Sequence, residues 1–213
     1  MTTYFADPDE YRPPDEPLPL VAFLAEHRHL VYRVAVVGDS VAEVVQQIGG
    51  WIFDQSALGW HVTVITVDIA GAGALRIFGA QSVSLAEAEA NGSEYPQPHV
   101  LMASTSLCRA NPSVRAAIGA IISGKKTQVL LFGEDVTAGQ NQTVRRIEHP
   151  LSSATAAFKS HATCSFGDAS VAASVEVFGH AGRCGVPHVP GVREVAWYPG
   201  RRRDAMNASS RRR

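Results

Sequence analysis

Cysteine is scarce: Cys108, Cys164 and Cys184 are the three in a chain of 213 residues. An odd number in a mid-sized chain argues against a disulfide scaffold and suits a reducing compartment, which points to the cytoplasm. Long apolar runs are also missing. No window approaches the roughly 18 to 20 uncharged apolar residues that a membrane span needs. The opening MTTYFADPDEYRPPDEPLPL, with five acids against one arginine, has no apolar stretch of signal-peptide length. A soluble protein without a membrane partner is expected. Charged residues are only 18% of the chain against 46% hydrophobic, which excludes wholesale disorder and predicts a packed core.

The net charge of −1 hides an asymmetry. From Val192 onward there are seven arginines and two acids, whereas the preceding 191 residues hold 12 basic and 18 acidic ones. The length favours one domain with tails. Residues 1–17, rich in Pro, Asp and Glu, read as a disordered acidic lead-in, residues 18–178 as the folded domain, and residues 179–213 as a disordered Gly/Pro/Arg-rich tail. No internal repeat is visible.

Within the domain, Leu18–Arg28 reads as a helix and Leu30–Val37 (LVYRVAVV) as a buried strand closed by Gly38. Ser40 with Glu43 three positions on forms a capping box. Val41, Val44, Val45, Ile48 and Ile52 then lie on one helical face. Gly49 and Gly50 inside that helix cost about 1 kcal/mol each relative to alanine, which close packing of helix on sheet would offset. Trp51, Phe53 and Trp60 nearby read as core, with a partner-facing aromatic patch as the alternative. Gly59 stops the helix, and Trp60–Val67 (WHVTVITV) returns as a strand ending at Asp68.

The alternation continues: a strand at Leu75–Gly79, a helix from Ser84 to Asn91-Gly92, and a strand at His99–Ala103. A helix capped by Asn111 with Pro112 at its first position follows, then a strand at Thr127–Phe132, a polar loop from Gly133 to Thr143, and an Ala-rich helix at Ser152–Thr163. Val171–Phe178 reads as a last strand. This pattern predicts an α/β fold: a three-layer open parallel sheet of five or six strands with helices on both faces.

The first unit resembles the start of a Rossmann dinucleotide-binding fold. Gly38 follows the strand, and Asp68 stands thirty residues later, where an acid would meet a ribose. The resemblance implies Gly38, Asp39, Ser40 and Asp68 as ligand-binding residues. The run Gly38, Asp39, Ser40, Val41, Ala42, Glu43 is nevertheless not G-x-G-x-x-G, since Glu43 puts bulk and charge where a glycine would face phosphates. No cofactor is assigned. The reading is a Rossmann-like ligand- or partner-binding or regulatory module lacking a complete catalytic motif, its small ligand or protein partner unspecified.

The same VVGDS also resembles the first block of the SGNH or GDSL ester hydrolases, which implies Ser40 as the nucleophile and Gly139-Gln140-Asn141 as an echo of the oxyanion block. No His stands three residues after an Asp in the last third of the chain, so a base is lacking. His161, Cys164, His180, Cys184 and His188 form a candidate zinc set without paired C-x-x-C knuckles. Arg201, Arg202, Arg203, Arg211, Arg212 and Arg213 offer a salt-sensitive contact to a polyanion such as nucleic acid, with no interleaved aromatic for base stacking. The phrase GGWIFDQSALGWHVTVITVD resembles a family of uncharacterised actinobacterial Rossmann-like proteins, a resemblance that implies no activity.

Overall fold

A computed structural model describes residues 31–92, 95–133, 136, 144–167, 173–181 and 190–194. The acidic lead-in, the helix expected at 18–28, Gly139 to Asn141, Cys184, His188 and the arginines from Arg201 onward lie outside the described residues. The chain divides between Val31 and Tyr32, and every element below belongs to the second unit, Tyr32–Arg213.

The first βαβ unit forms as its residues dictate. Strand β1 (Arg33–Ser40) alternates partly exposed and buried positions, and Ser40 then caps α1 (Val41–Ala57), its hydroxyl accepting the Glu43 N–H at 3.2 Å. Val41, Val44, Val45, Ile48 and Ile52 are fully buried, so the helical periodicity in the sequence marks the face that packs. Gly59, at φ +83, follows the helix end in the left-handed conformation and releases the chain into β2 (His61–Asp68). β1 and β2 pair in parallel, Val34 opposite Val62 and Val36 opposite Val64.

Beyond this unit come α2 (Gly73–Ile77), β3 (Gln81–Ser84), α3 (Leu85–Ala90), β4 (Val100–Ser104), α4 (Thr105–Ala110), α5 (Pro112–Gly124) and β5 (Gln128–Phe132). β6 (Val144–Pro150), α6 (Ser153–Cys164), β7 (Val175–Ala181) and the two-residue β8 (Arg193–Glu194) complete the order. The strands form one sheet in the order β3-β2-β1-β4-β5-β7-β6-β8. β1 to β5 are mutually parallel, while β7 is antiparallel to both β5 and β6, and β8 is antiparallel to β6.

The fold is therefore α/β as expected, but the sheet is mixed and has seven full strands plus one two-residue edge strand, not five or six parallel ones. Three local differences account for the change. The apolar run at Leu75–Gly79 is mostly helix: Leu75 and Phe78 point into the core, and a run that short has no period to separate helix from strand. The strand beside it is Gln81–Ser84, a polar edge without an apolar signature. β6 (VRRIEHP) carries one fully buried aliphatic residue, Ile147, and its charges masked it. β7 runs on through Gly179 and His180, and Arg193 with Glu194 pair with Glu148 and Ile147, so the ordered sheet extends past the expected limit at 178.

Two apolar clusters sit on opposite faces of the sheet. The larger joins Val34, Val36, Val62 and Val64 to Ile48, Trp51, Phe78 and Phe178; the smaller joins Leu101, Ala103 and Val129 to Leu107, Val114 and Ile118. Among the described residues no helix is long and apolar enough to cross a membrane.

Close approach explains the glycines of the first unit. A Cβ on Gly38 would lie 2.6 Å from a methyl of Val44, so only glycine lets α1 begin this close to the end of β1. A Cβ on Gly50 would lie 2.5 Å from Leu151 and 3.1 Å from a Glu176 oxygen. Gly119, on the exposed side of α5, has nothing within 4 Å of its Cβ position. Gly50→Ala is therefore expected to destabilise the protein by about 1–3 kcal/mol, as overpacking does. Gly119→Ala should stabilise it by about 0.5–1 kcal/mol through helix propensity. Urea denaturation of the two variants checks the contrast, and equal effects would contradict it.

Candidate functional site

In the parallel part of the sheet the chain moves outward from β1 to β2 and β3, then crosses back to β4 and β5. The crevice between the carboxyl ends of β1 and β4 is thus the point where strand order reverses, the usual place for a ligand in an open α/β sheet. Glu43, in the first turn of α1, occupies it. Its Oε2 accepts the Asp39 N–H at 2.9 Å, and its Oε1 accepts the hydroxyls of Ser104 and Ser106, each at 2.7 Å. Ser104, at the end of β4, is buried and caps α4, while Ser106 is exposed.

The two serine hydroxyls are also 2.6 Å from each other. Three close oxygen contacts thus share two hydroxyl protons when Glu43 is a carboxylate, so one contact at any instant lacks a proton. Gly133, just after β5, closes the group from the other side; its Cβ position lies 2.9 Å from the Thr105 hydroxyl and 3.9 Å from Glu43 Oε1.

Gly133 also lines a neighbouring cavity of about 310 Å³, together with Gln46, Gln47, Arg146, Lys159 and Glu176. Glu176, on β7, is 3% exposed. Its Oε1 accepts the Gly50 N–H at 2.8 Å and the Lys159 ammonium at 2.6 Å, and its Oε2 accepts the Trp51 N–H at 2.8 Å. Two consecutive amides aimed at one carboxylate are the arrangement of a helix start, here placed in the middle of α1 at the glycine pair. On the cavity wall Arg146 donates through Nε and Nη2 to Glu148 Oε1 at 3.3 and 3.1 Å, and Arg193 donates to Glu148 Oε2 at 3.2 Å.

A second polar cluster has a different character. His149 is buried, with Nε2 2.9 Å from Asp54 Oδ2 and Nδ1 2.9 Å from the Gly191 carbonyl, and Thr155 donates to Asp54 Oδ1 at 2.7 Å. Both ring nitrogens face oxygens of the chain itself. The cluster ties α1 to β6 and α6.

The residues singled out in the sequence fall in several places. Gly38, Asp39, Ser40 and Asp68 do come together, with Ser40 directly opposite Asp68 in the β1–β2 register. Their polar atoms serve the chain itself: Ser40 caps α1, and Asp68 Oδ1 accepts the Ala70 N–H at 2.8 Å in the turn after β2. His161 and Cys164 are exposed on α6, His180 is buried in β7, and Cys184 and His188 lie outside the described residues. Among the described residues no group of three His, Cys, Asp or Glu side chains could hold a metal ion. The sequence marked Glu43 as a capping partner and as a departure from the phosphate-binding glycines, and gave no sign of Ser104, Ser106, Arg146, Lys159 or Glu176 as site residues. The one local signal was Ser-Thr-Ser directly after the apolar strand of β4.

No family model matches the chain, and no curated protein matches it. Solved structures do. The chain is similar to a deacetylase of the teicoplanin biosynthetic pathway in its triple-mutant form, at TM-score 0.52 and 11% identity over 78% of this chain and 99% of that one. It is similar as well to a deacetylase–teicoplanin complex, at TM-score 0.52 and 10% identity over 72% and 100% of the two chains. Identity this low speaks for the fold alone. The likeness corrects the reading of a ligand- or partner-binding or regulatory module, along with its alternatives of an SGNH-type ester hydrolase on Ser40 and a zinc- or nucleic-acid-associated protein. This architecture is one that deacetylases carry, so a missing dinucleotide motif is no mark of a non-catalytic module.

Of the described cysteines, Cys164 is exposed and Cys108 half-buried. Burial pushes the Cys108 thiol above its ordinary value of 9.0, against a smaller downward pull from Arg115. A raised value means less thiolate at a given pH, and the thiolate is the reacting form. Iodoacetamide at pH 8, followed by peptide mass spectrometry, should therefore label Cys164 well before Cys108. Faster labelling of Cys108 would contradict this environment.

Proposed function

We propose that this chain is an acyl hydrolase that cleaves an amide or ester bond at the crevice between β1 and β4, with Glu43 as the general base. The observation that carries the reading is the Glu43–Ser104–Ser106 cluster, three oxygens within 2.7 Å of one another at the reversal point of the sheet. The fold shared with deacetylases supports the reaction class by analogy.

The chemistry follows from the atoms. A water approaching from the exposed side of Ser106 gives a proton to the cluster as its oxygen attacks the acyl carbon. That proton then passes to the departing amine or alkoxide as its bond to the acyl carbon breaks. Ser104, buried and engaged as a helix cap, holds the carboxylate in place, and Ser106 connects it to the open side.

Hydrolysis of a panel of p-nitrophenyl esters and N-acetylated amines tests the proposal. The wild type should turn over members of the panel, and Glu43→Gln should lower kcat/KM by about 10²–10⁴-fold. Glu87→Gln, which alters the equivalent first-turn acid of α3, serves as the control and should keep full activity. Activity that survives Glu43→Gln, or a wild type inert across the panel, overturns the assignment.

A further inference from the structure

We infer that the cavity beside Glu43 is a subsite for a carboxylate, so that the preferred acyl group carries a negative charge at its far end. The inference rests on the hydrolase reading for the identity of the substrate, but the subsite itself is argued from charge and geometry.

Arg146, Lys159 and Glu176 line the cavity, and Glu148, which pairs with Arg146, pairs also with Arg193. Both carboxylates are fully engaged. Glu176 accepts two main-chain amides and the Lys159 ammonium, and Glu148 accepts from Arg146 on one oxygen and Arg193 on the other. Among these described residues three cations face two carboxylates, which leaves one positive charge over. It is centred on Arg146, whose side chain is about a third exposed and which commits Nε and Nη2 to a single oxygen.

A guanidinium is a planar fork suited to a carboxylate, and a partly desolvated one binds an anion more strongly than an ammonium in water does. Lys159 adds a second positive centre beneath it, with three N–H donors and one described acceptor. The cavity has room for a short acid chain of a few heavy atoms, and Gly133 is common to its wall and to the edge of the Glu43 cluster. An acyl group whose carbonyl sits at Glu43 would thus reach Arg146 with a terminal carboxylate after a short methylene spacer, as in a succinyl group.

Calorimetric titration of the full chain with succinate, paired with hydrolysis of p-nitrophenyl succinate and p-nitrophenyl butyrate, tests the subsite. Succinate should bind at concentrations up to about 10 mM. Arg146→Met should weaken binding about tenfold or more, and Arg146→Lys, which keeps the charge without the fork, should fall between the two. In hydrolysis the succinyl ester should be favoured over the butyryl ester about tenfold, a preference that Arg146→Met brings towards one. Succinate binding that is absent, or equal in wild type and Arg146→Met, overturns the subsite. If neither ester is cleaved while succinate still binds through Arg146, the subsite stands and the hydrolase reading falls. Should Arg146→Met not fold, Arg146→Lys alone decides, and unchanged succinate affinity in it overturns the role of the fork.

Discussion

Glu176 is the side chain on which the two halves of the sheet meet. It belongs to β7, in the antiparallel part, and reaches into the middle of α1, the crossover helix of the parallel part, to take the amides of Gly50 and Trp51. Lys159 of α6 completes its shell. A carboxylate buried to this degree is strongly unfavourable unless each lone pair is met, and here amides and ammonium meet it from two helices. Glycine at position 50 follows from the same contact, since a Cβ there would press on Leu151 and on the carboxylate itself. Gly50 thus admits the charged anchor, while its neighbour Gly49 admits the ring of Phe78, which would lie 3.2 Å from a Cβ there.

That anchor bears on the candidate site through the helix. α1 begins against the end of β1 at Gly38, is held at its middle by Glu176 through the Gly50 and Trp51 amides, and carries Glu43 in its first turn. With the start set by Gly38 and the middle by Glu176, Glu43 is held facing the serines after β4. The cavity that Arg146, Lys159 and Glu176 line lies directly beside this arrangement, so the group that fixes the helix also shapes the neighbouring wall.

The legible parts of the fold were those decided locally. Ser40 with Glu43, the buried stripe from Val41 to Ile52, Gly59 as a stop and the apolar β2 each depend on residues a few positions apart, and all were readable. β6 was not, because a strand next to the sheet's short edge can keep Arg146 and Glu148 beside one buried Ile147. Leu75 to Phe78 was misread because a single turn of helix shows no period. The site was hidden for a different reason. Glu43 meets Ser104 and Ser106 across 61 and 63 positions, and Glu176 meets Gly50 across 126, so only the fold brings these groups together. Position 43, where a phosphate-binding loop would want glycine, was legible as an exception. Its role depends on partners that no local pattern announces.

The direct test of this account is a double-mutant cycle on the buried pair, with Lys159→Met, Glu176→Gln and the combined variant compared by urea denaturation. If Glu176 is the charged anchor between the halves, Lys159→Met alone strands a buried carboxylate, and removing both charges recovers part of the loss, giving a coupling of about 1–3 kcal/mol. Additive effects, within about 0.3–0.5 kcal/mol, would show that the two side chains do not act on each other and would contradict the account.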